Sequence, residues 1–175
     1  MSVSVSSALR FSANISMLFA EAPFLDRFAS ARQAGFVAVE CHFPYAFDRS
    51  EISARLRDQD LVLNGINTPS GDASRGEFGF AAVPGRKDEF RKSFDQALEW
   101  AIALKVASLH CMCGIVQAED KGKARDVFLN NMSYAAKAVK GTDLILLVEP
   151  INQIDRPGWF NSKSDELVAL LQDPD

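Results

Sequence analysis

Hydrophobic and polar positions follow one repeated order along this chain: a short apolar run, a polar stretch, a helical pattern, then the next apolar run. The apolar runs predict strands at Phe11–Ile15, Phe36–Glu40, Leu61–Asn64 with an extension to Asn67, Ala107–Cys111 and Leu144–Val148. Between and after them, helical spacing predicts helices over 23–34, 50–59, 86–104, 120–139 and 164–171. The first has Pro23 in its opening turn, where a missing N–H costs nothing, and Gly35 as its stop. Its apolar face is Phe24, Leu25, Phe28 and Ala31. Ile52 and Leu56 form the stripe of the second, and Phe90, Phe94, Leu98, Ala101 and Ile102 that of the third. In the fourth, Val127, Asn131, Tyr134 and Ala138 recur at helical intervals.

Strict strand–helix alternation calls for parallel strands, because a parallel pair needs a long crossover, usually a helix. The near-continuous apolar runs suit strands covered on both faces. Strand starts recur about every 33 residues, so eight units would take roughly 260, close to the usual length of a (β/α)8 barrel. Five units are present. An open doubly wound sheet usually carries a Gly-rich turn after its first strand, and Asn14-Ile-Ser-Met-Leu-Phe-Ala20 has no glycine. The expectation is an α/β fold of the (β/α)8 TIM-barrel type, incomplete, with one partial-barrel domain over 11–175. Residues 1–10 are read as a flexible N-terminal extension.

Charge narrows the partners. A net charge of −4, with Lys and Arg scattered among acids, lacks the basic stripe that nucleic acid requires. No apolar run approaches the roughly 20 residues of a membrane span, and the N-terminus has neither a basic nor an apolar signal region. Three cysteines, of which Cys111 and Cys113 lie two apart, read as reduced thiols of a cytoplasmic protein.

In either architecture ligands bind outside the carboxyl ends of the strands. The polar residues there are Asn14, Ser16, Glu40, His42, Asn64, Asn67, His110, Glu149 and Asn152. Of these, Asn14, Glu40, Asn67, His110 and Asn152 are candidate substrate contacts. Glu149 is the strongest candidate for chemistry, because an acid continuing the run Leu-Ile-Leu-Leu-Val needs a partner, a metal or a function. The loop from Thr68 to Pro84 is long for a strand-to-helix connection, and such loops are often lids. Asp72, Arg75, Glu77 and Arg86 are its candidate lid residues, and Phe78 and Phe80 would seal the mouth. The loop lacks the GxxxxGK[ST] pattern, and no nucleotide cofactor is expected.

Five stretches, in order, resemble the hydroxypyruvate isomerase family of the xylose-isomerase-like barrels. They are Phe11-Ser-Ala-Asn-Ile-Ser-Met-Leu-Phe19; Gly35-Phe-Val-Ala-Val-Glu40 with Phe43-Pro-Tyr45; Gly71-Asp72, Gly76-Glu77 and Pro84-Gly-Arg86; Asn131 to Ala136; and Val148-Glu-Pro-Ile-Asn152 with Asp155, Pro157 and Gly158. The resemblance implies that Glu149 is the strand-five glutamate that accepts and donates a proton and, in metal-dependent relatives, binds a divalent ion such as Mg²⁺ or Mn²⁺. The implied reaction interconverts hydroxypyruvate and tartronate semialdehyde through an enediolate. A related 2-oxo-tetronate isomerase or sugar epimerase is the neighbouring alternative. Cys41-His42 departs from the apolar residues usual before Phe-Pro-Tyr. The family's second glutamate and remaining ligands lie on strands six to eight, and this sequence is expected to stop before strand six. The alternative reading is a catalytically inactive partial barrel that acts as an oligomerising or binding domain, pairing with another copy through open sheet edges.

Overall fold

The computed structural model describes residues 9–172; most of the expected N-terminal extension lies outside them, and Leu9 and Arg10 have no regular structure. Five strands form one sheet in sequence order, every neighbouring pair parallel: β1 (Ala13–Asn14), β2 (Ala38–Glu40), β3 (Val62–Asn67), β4 (Ser108–His110) and β5 (Ile145–Leu147). Helices α1 (Arg27–Gln33), α2 (Arg49–Asp58), α3 (Lys87–Leu104) and α4 (Lys121–Ala138) make the crossovers, and α5 (Ser164–Leu171) follows β5. β1, β4 and β5 occupy the centres of their apolar runs, β2 the C-terminal end of its run, and β3 continues through the extension to Asn67. After Pro23 the chain makes a tight 3-10 turn, Phe24–Asp26, before α1 begins. The Arg27 guanidinium braces this entry by donating to the carbonyls of Ala22 and Ile15.

Strand alternation divides the sheet into two chemically distinct faces. Ala13, Val39, Leu63, Ile66 and Leu109 are almost fully buried against Phe28, Ile52, Phe90, Phe94 and Phe128 of the helices. Burying each such side chain is worth about 1.5–3 kcal/mol, so this layer carries most of the stability. The opposite face runs Asn14–Glu40–Gly65–Ser108–Ile145 in register. It also leaves Val62, Ile145 and Leu147 about half exposed, at 54%, 60% and 45%.

Register is regular except at β3, where Ala38 and Val39 oppose Val62 and Leu63 but Glu40 opposes Gly65. The extra residue, Asn64, is a bulge that re-aims the strand end. It puts Gly65 in the row between Glu40 and Ser108. A Cβ there would lie 3.1 Å from the Ser108 hydroxyl and 3.8 Å from the Glu40 Cβ, so the glycine leaves room for both.

Two helix faces differ from the sequence pattern. Ile102 is 59% exposed, and α3 instead buries Ala97 and Leu104 along with Phe90, Phe94 and Ala101. In α4 the buried stripe is Ala124, Phe128, Asn131 and Ala135, leaving Val127 and Tyr134 half buried and Ala138 exposed. The polar Asn131 belongs in this stripe because its amide donates to the buried carbonyl of Ala81, 2.9 Å away, on the loop after β3. Replacing Asn131 by Ala strands that carbonyl, and urea denaturation is expected to show a loss of about 1–3 kcal/mol. Asn130→Ala, one position along on the exposed face, should change the midpoint little.

Candidate active site

The residues on the free face at the strand ends surround a cavity of about 420 Å³. Two successive rows build it. The lower row is Asn14, Glu40, Gly65 and Ser108. Above it, Asn67 pairs with His110 and His110 with Leu147, while the Asn67 N–H donates to the His42 carbonyl. Glu149 lies two residues beyond Leu147 and completes the wall. The sequence candidates Asn14, Glu40, Asn67, His110 and Glu149 therefore come together on one cavity.

Each wall residue is fixed by local chemistry. The Asn14 side-chain oxygen accepts from the Ser16 N–H at 3.1 Å, which leaves its amide nitrogen to face the His42 Nε2 at 3.0 Å. With the amide nitrogen donating, Nε2 accepts and the ring N–H is the one on Nδ1. The His42 N–H donates to the Ser16 hydroxyl, closing a three-residue cluster. Ser108 donates to the Asn64 carbonyl at the bulge. Tyr45 donates to the Asn67 carbonyl from outside the wall, and burial pushes its phenol well above the ordinary range.

Glu149 is held through its main chain. Its carbonyl accepts from the Trp159 indole at 3.1 Å, and the following Ile151 N–H bonds the Asn161 carbonyl. Its carboxylate is 63% exposed and lies 3.9 Å from the Nδ1 of His110, whose side chain is 9% exposed. Burial, and then the neighbouring His42, depress the His110 pKa to about 4. The nearby carboxylate does not offset this because it is largely solvated. The thiol of Cys41 is pushed up to about 12 by burial and by Glu40, and that of Cys111 to about 12 by burial. Neither is a nucleophile at neutral pH.

The remaining candidates stand elsewhere. Asn152 is exposed and makes its own turn, accepting from the N–H groups of Ile154 and Asp155. The four lid candidates form a separate cluster. Glu77 accepts from the Asp72 N–H and pairs with Arg86 at 2.9 Å, Arg75 reaches Glu77 at 4.0 Å, and Arg86 also pairs with Glu89. None of these residues lines the central cavity. Their loop is anchored to the chain after β4: Ala81 and Ala82 donate to Met112 and Cys113, and the Thr68 hydroxyl accepts from the Met112 N–H. Phe80 is buried beneath the Arg86 guanidinium, and Phe78 lies under that of Arg156.

Ser108, Gly65 and Trp159 were missed by the sequence reading. Ser108 is two residues before His110 and so shares its face, a signal the alternation carried. Nothing in the sequence linked Trp159 to Glu149. A divalent ion finds a partial donor set: Glu149 and His110 stand together, but among the described residues no three His, Cys, Asp or Glu side chains do. Two donors fall short of the three or four protein ligands typical of a catalytic metal centre. These residues alone do not fit one.

The xylose isomerase-like TIM barrel family matches residues 28–175. The chain is 40% identical over 94% of its length to the 2-oxo-tetronate isomerase of Cupriavidus necator, and 39% identical over 94% to the hydroxypyruvate isomerase of Escherichia coli. A Brucella melitensis crystal structure named as an AP endonuclease of family 2 superposes with a TM-score of 0.91 at 41% identity over 94% of the chain. The chain spans 64% of the length of each of these relatives.

His110 makes stability pH-dependent. Its imidazole titrates near 6.5 when unfolded and near 4 when folded. Between these values the unfolded chain binds more protons, so stability falls as pH drops from 6.5 towards 4, by about 3 kcal/mol in all. Urea midpoints measured across this window should show the slope, and His110→Asn should abolish most of it.

Proposed function

Because this chain belongs to the xylose isomerase-like TIM barrel family, we propose that its cavity serves the isomerisation of a short 2-oxo hydroxy acid, with hydroxypyruvate to tartronate semialdehyde as the reaction. One observation carries the reading: Glu149 stands at the C-terminal end of β5 on the cavity wall, the place where barrels of this type keep catalytic groups. The names of the relatives support the substrate class. Glu149 as a carboxylate takes a proton from the hydroxymethyl carbon of hydroxypyruvate, and the C–H electron pair forms the enediolate. The same proton returns to the former carbonyl carbon, and a proton passes between the two oxygens, leaving an aldehyde and a secondary alcohol. The charge that builds on the oxygens calls for neutral hydrogen-bond donors in the wall. The Asn67 amide and the ring N–H of His42 are of that kind. The named 2-oxo-tetronate isomerases would use the same steps on a substrate one carbon longer.

Cavity charge supports a small molecule over nucleic acid. Glu40 and Glu149 line it and no Lys or Arg does, the reverse of what a phosphate backbone needs. No helix among the described residues is long and apolar enough to cross a membrane. The three unpaired, buried cysteines support a reducing compartment, the cytoplasm.

The test is a coupled assay for hydroxypyruvate turnover in which Glu149→Gln is expected to lose about 10²–10⁴-fold in kcat. Full activity in that variant would overturn the role of Glu149. Among the described residues the outer edges of β1 and β5 have no strand partner, and with exposed Val62, Ile145 and Leu147 they support pairing of copies. Light scattering is expected to show a dimer or larger assembly, and a monomer at all concentrations would count against pairing.

A further inference from the structure

We propose that His110 is a positioning residue for Glu149, a neutral imidazole with its proton on Nδ1 that holds the exposed carboxylate over the cavity. The proposal rests on the reading of Glu149 as the base. It begins from a mismatch between the two side chains. The Glu149 carboxylate is 63% exposed, and its one described polar contact is the His110 Nδ1 at 3.9 Å. A base that samples many rotamers is a poor base, because proton abstraction needs heavy atoms within hydrogen-bond reach. Something must hold it.

His110 is suited to that task because its own ring is fixed. It is buried in β4, with Asn67 beside it on β3 and Leu147 beside it on β5. Its Nε2 is buried without a hydrogen-bond partner among the described residues, so no neighbour draws the ring proton to that nitrogen. The Nδ1 edge is the one that meets a negative charge. A proton on Nδ1 turns the positive end of an N–H dipole towards the carboxylate, whereas a proton on Nε2 would set a lone pair against it. At 3.9 Å the contact is longer than a hydrogen bond, so the interaction is that of a dipole with a charge.

The other groups facing this corner do not compete for the role. The charged or titratable ones are Glu40 and Cys41 of the β2 end, His42, Glu149 itself and the buried thiol of Cys113, which lies within reach of the Glu149 charge and is kept protonated by its burial. The His42 Nε2 is taken by the Asn14 amide, and Glu40, on the row below, has no proton to offer as a carboxylate. Burial keeps His110 uncharged, so it orients the carboxylate by a dipole.

The two histidines of the sequence make the tautomer directly readable. Long-range ¹H–¹⁵N correlation spectra of the full chain, labelled with ¹⁵N-histidine, would be recorded at neutral pH, with His42→Asn assigning the signals. Free imidazole side chains favour the Nε2–H form. His110 is expected to show the Nδ1–H form in the wild type and to lose that preference in Glu149→Ala, an exposed truncation. An Nε2–H pattern in the wild type, or an Nδ1–H pattern unchanged by Glu149→Ala, would overturn the proposal. So would selective broadening of His110 by sub-equimolar Mn²⁺ that Glu149→Ala abolishes, since a shared cation would then replace the direct contact. None of these readouts needs turnover. If Glu149→Gln abolishes activity while His110 is Nε2–H, the base stands and the positioning role falls. An active Glu149→Gln with Nδ1–H His110 does the opposite.

Discussion

Side-chain phase across the parallel sheet governs the site. In a strand, neighbouring side chains point to opposite faces, so slipping one pairing by a single residue would exchange the greasy and polar sets. Here Leu109 pairs with Leu146 and His110 with Leu147, which sends Leu109 into the helical layer and leaves His110 on the cavity. Glu149 follows from Leu147 by the same period. Burial of Val39, Leu63, Ile66 and Leu109 against phenylalanines of the helices holds that phase. The energy that folds the protein on one side of the sheet therefore places the polar groups on the other. The bulge at Asn64 is the one local departure, and it brings glycine to the position where Glu40 and Ser108 would otherwise crowd a side chain.

Above the strands, order is maintained by different means. The loops after β3, β4 and β5 are joined to each other, Gly79 bridging to Cys113 and Ile115 to Trp159. These short antiparallel contacts make a collar over the helical side of the rim. Gly79, at φ +101°, allows the close approach: a Cβ there would lie 2.4 Å from the Met112 carbonyl oxygen. Through Trp159 the collar also reaches the Glu149 carbonyl. The main chain at the proposed base is thus tied to the folded rim, while its carboxylate is left free to turn.

Much of this was legible in the sequence, for physical reasons that differ by element. The strands were visible because each reads as an apolar run, although only the face towards the helices is fully buried. Glu149 was visible because an acid breaks such a run. Asn14, Glu40, Asn67 and His110 were visible as polar residues at strand ends. The α4 face was not: an Asn in its buried stripe and small alanines around Phe128 shift the apolar phase by one residue. The bulge left no signal, since Asn64 and Gly65 read as an ordinary strand end. Links such as Thr68 to Met112 and Trp159 to Glu149 join loops distant along the chain, and no local pattern encodes them.

Solvent links the apolar and the catalytic halves of this face. Val62, Ile145 and Leu147 are half exposed on the same side of the sheet as Glu149. Exposure leaves each apolar group short of its burial energy, and it leaves the carboxylate in a high-dielectric setting where the His110 dipole acts on it less strongly than it would in a dry site. Any polypeptide that covers this face changes both at once. It buries the three aliphatic side chains, and it removes water from between Glu149 and His110. In the lower dielectric that results, the same N–H dipole acts on the carboxylate more strongly. Covering the apolar surface and fixing the carboxylate are then one physical event, because the alternation of β5 places Ile145, Leu147 and Glu149 on a single line.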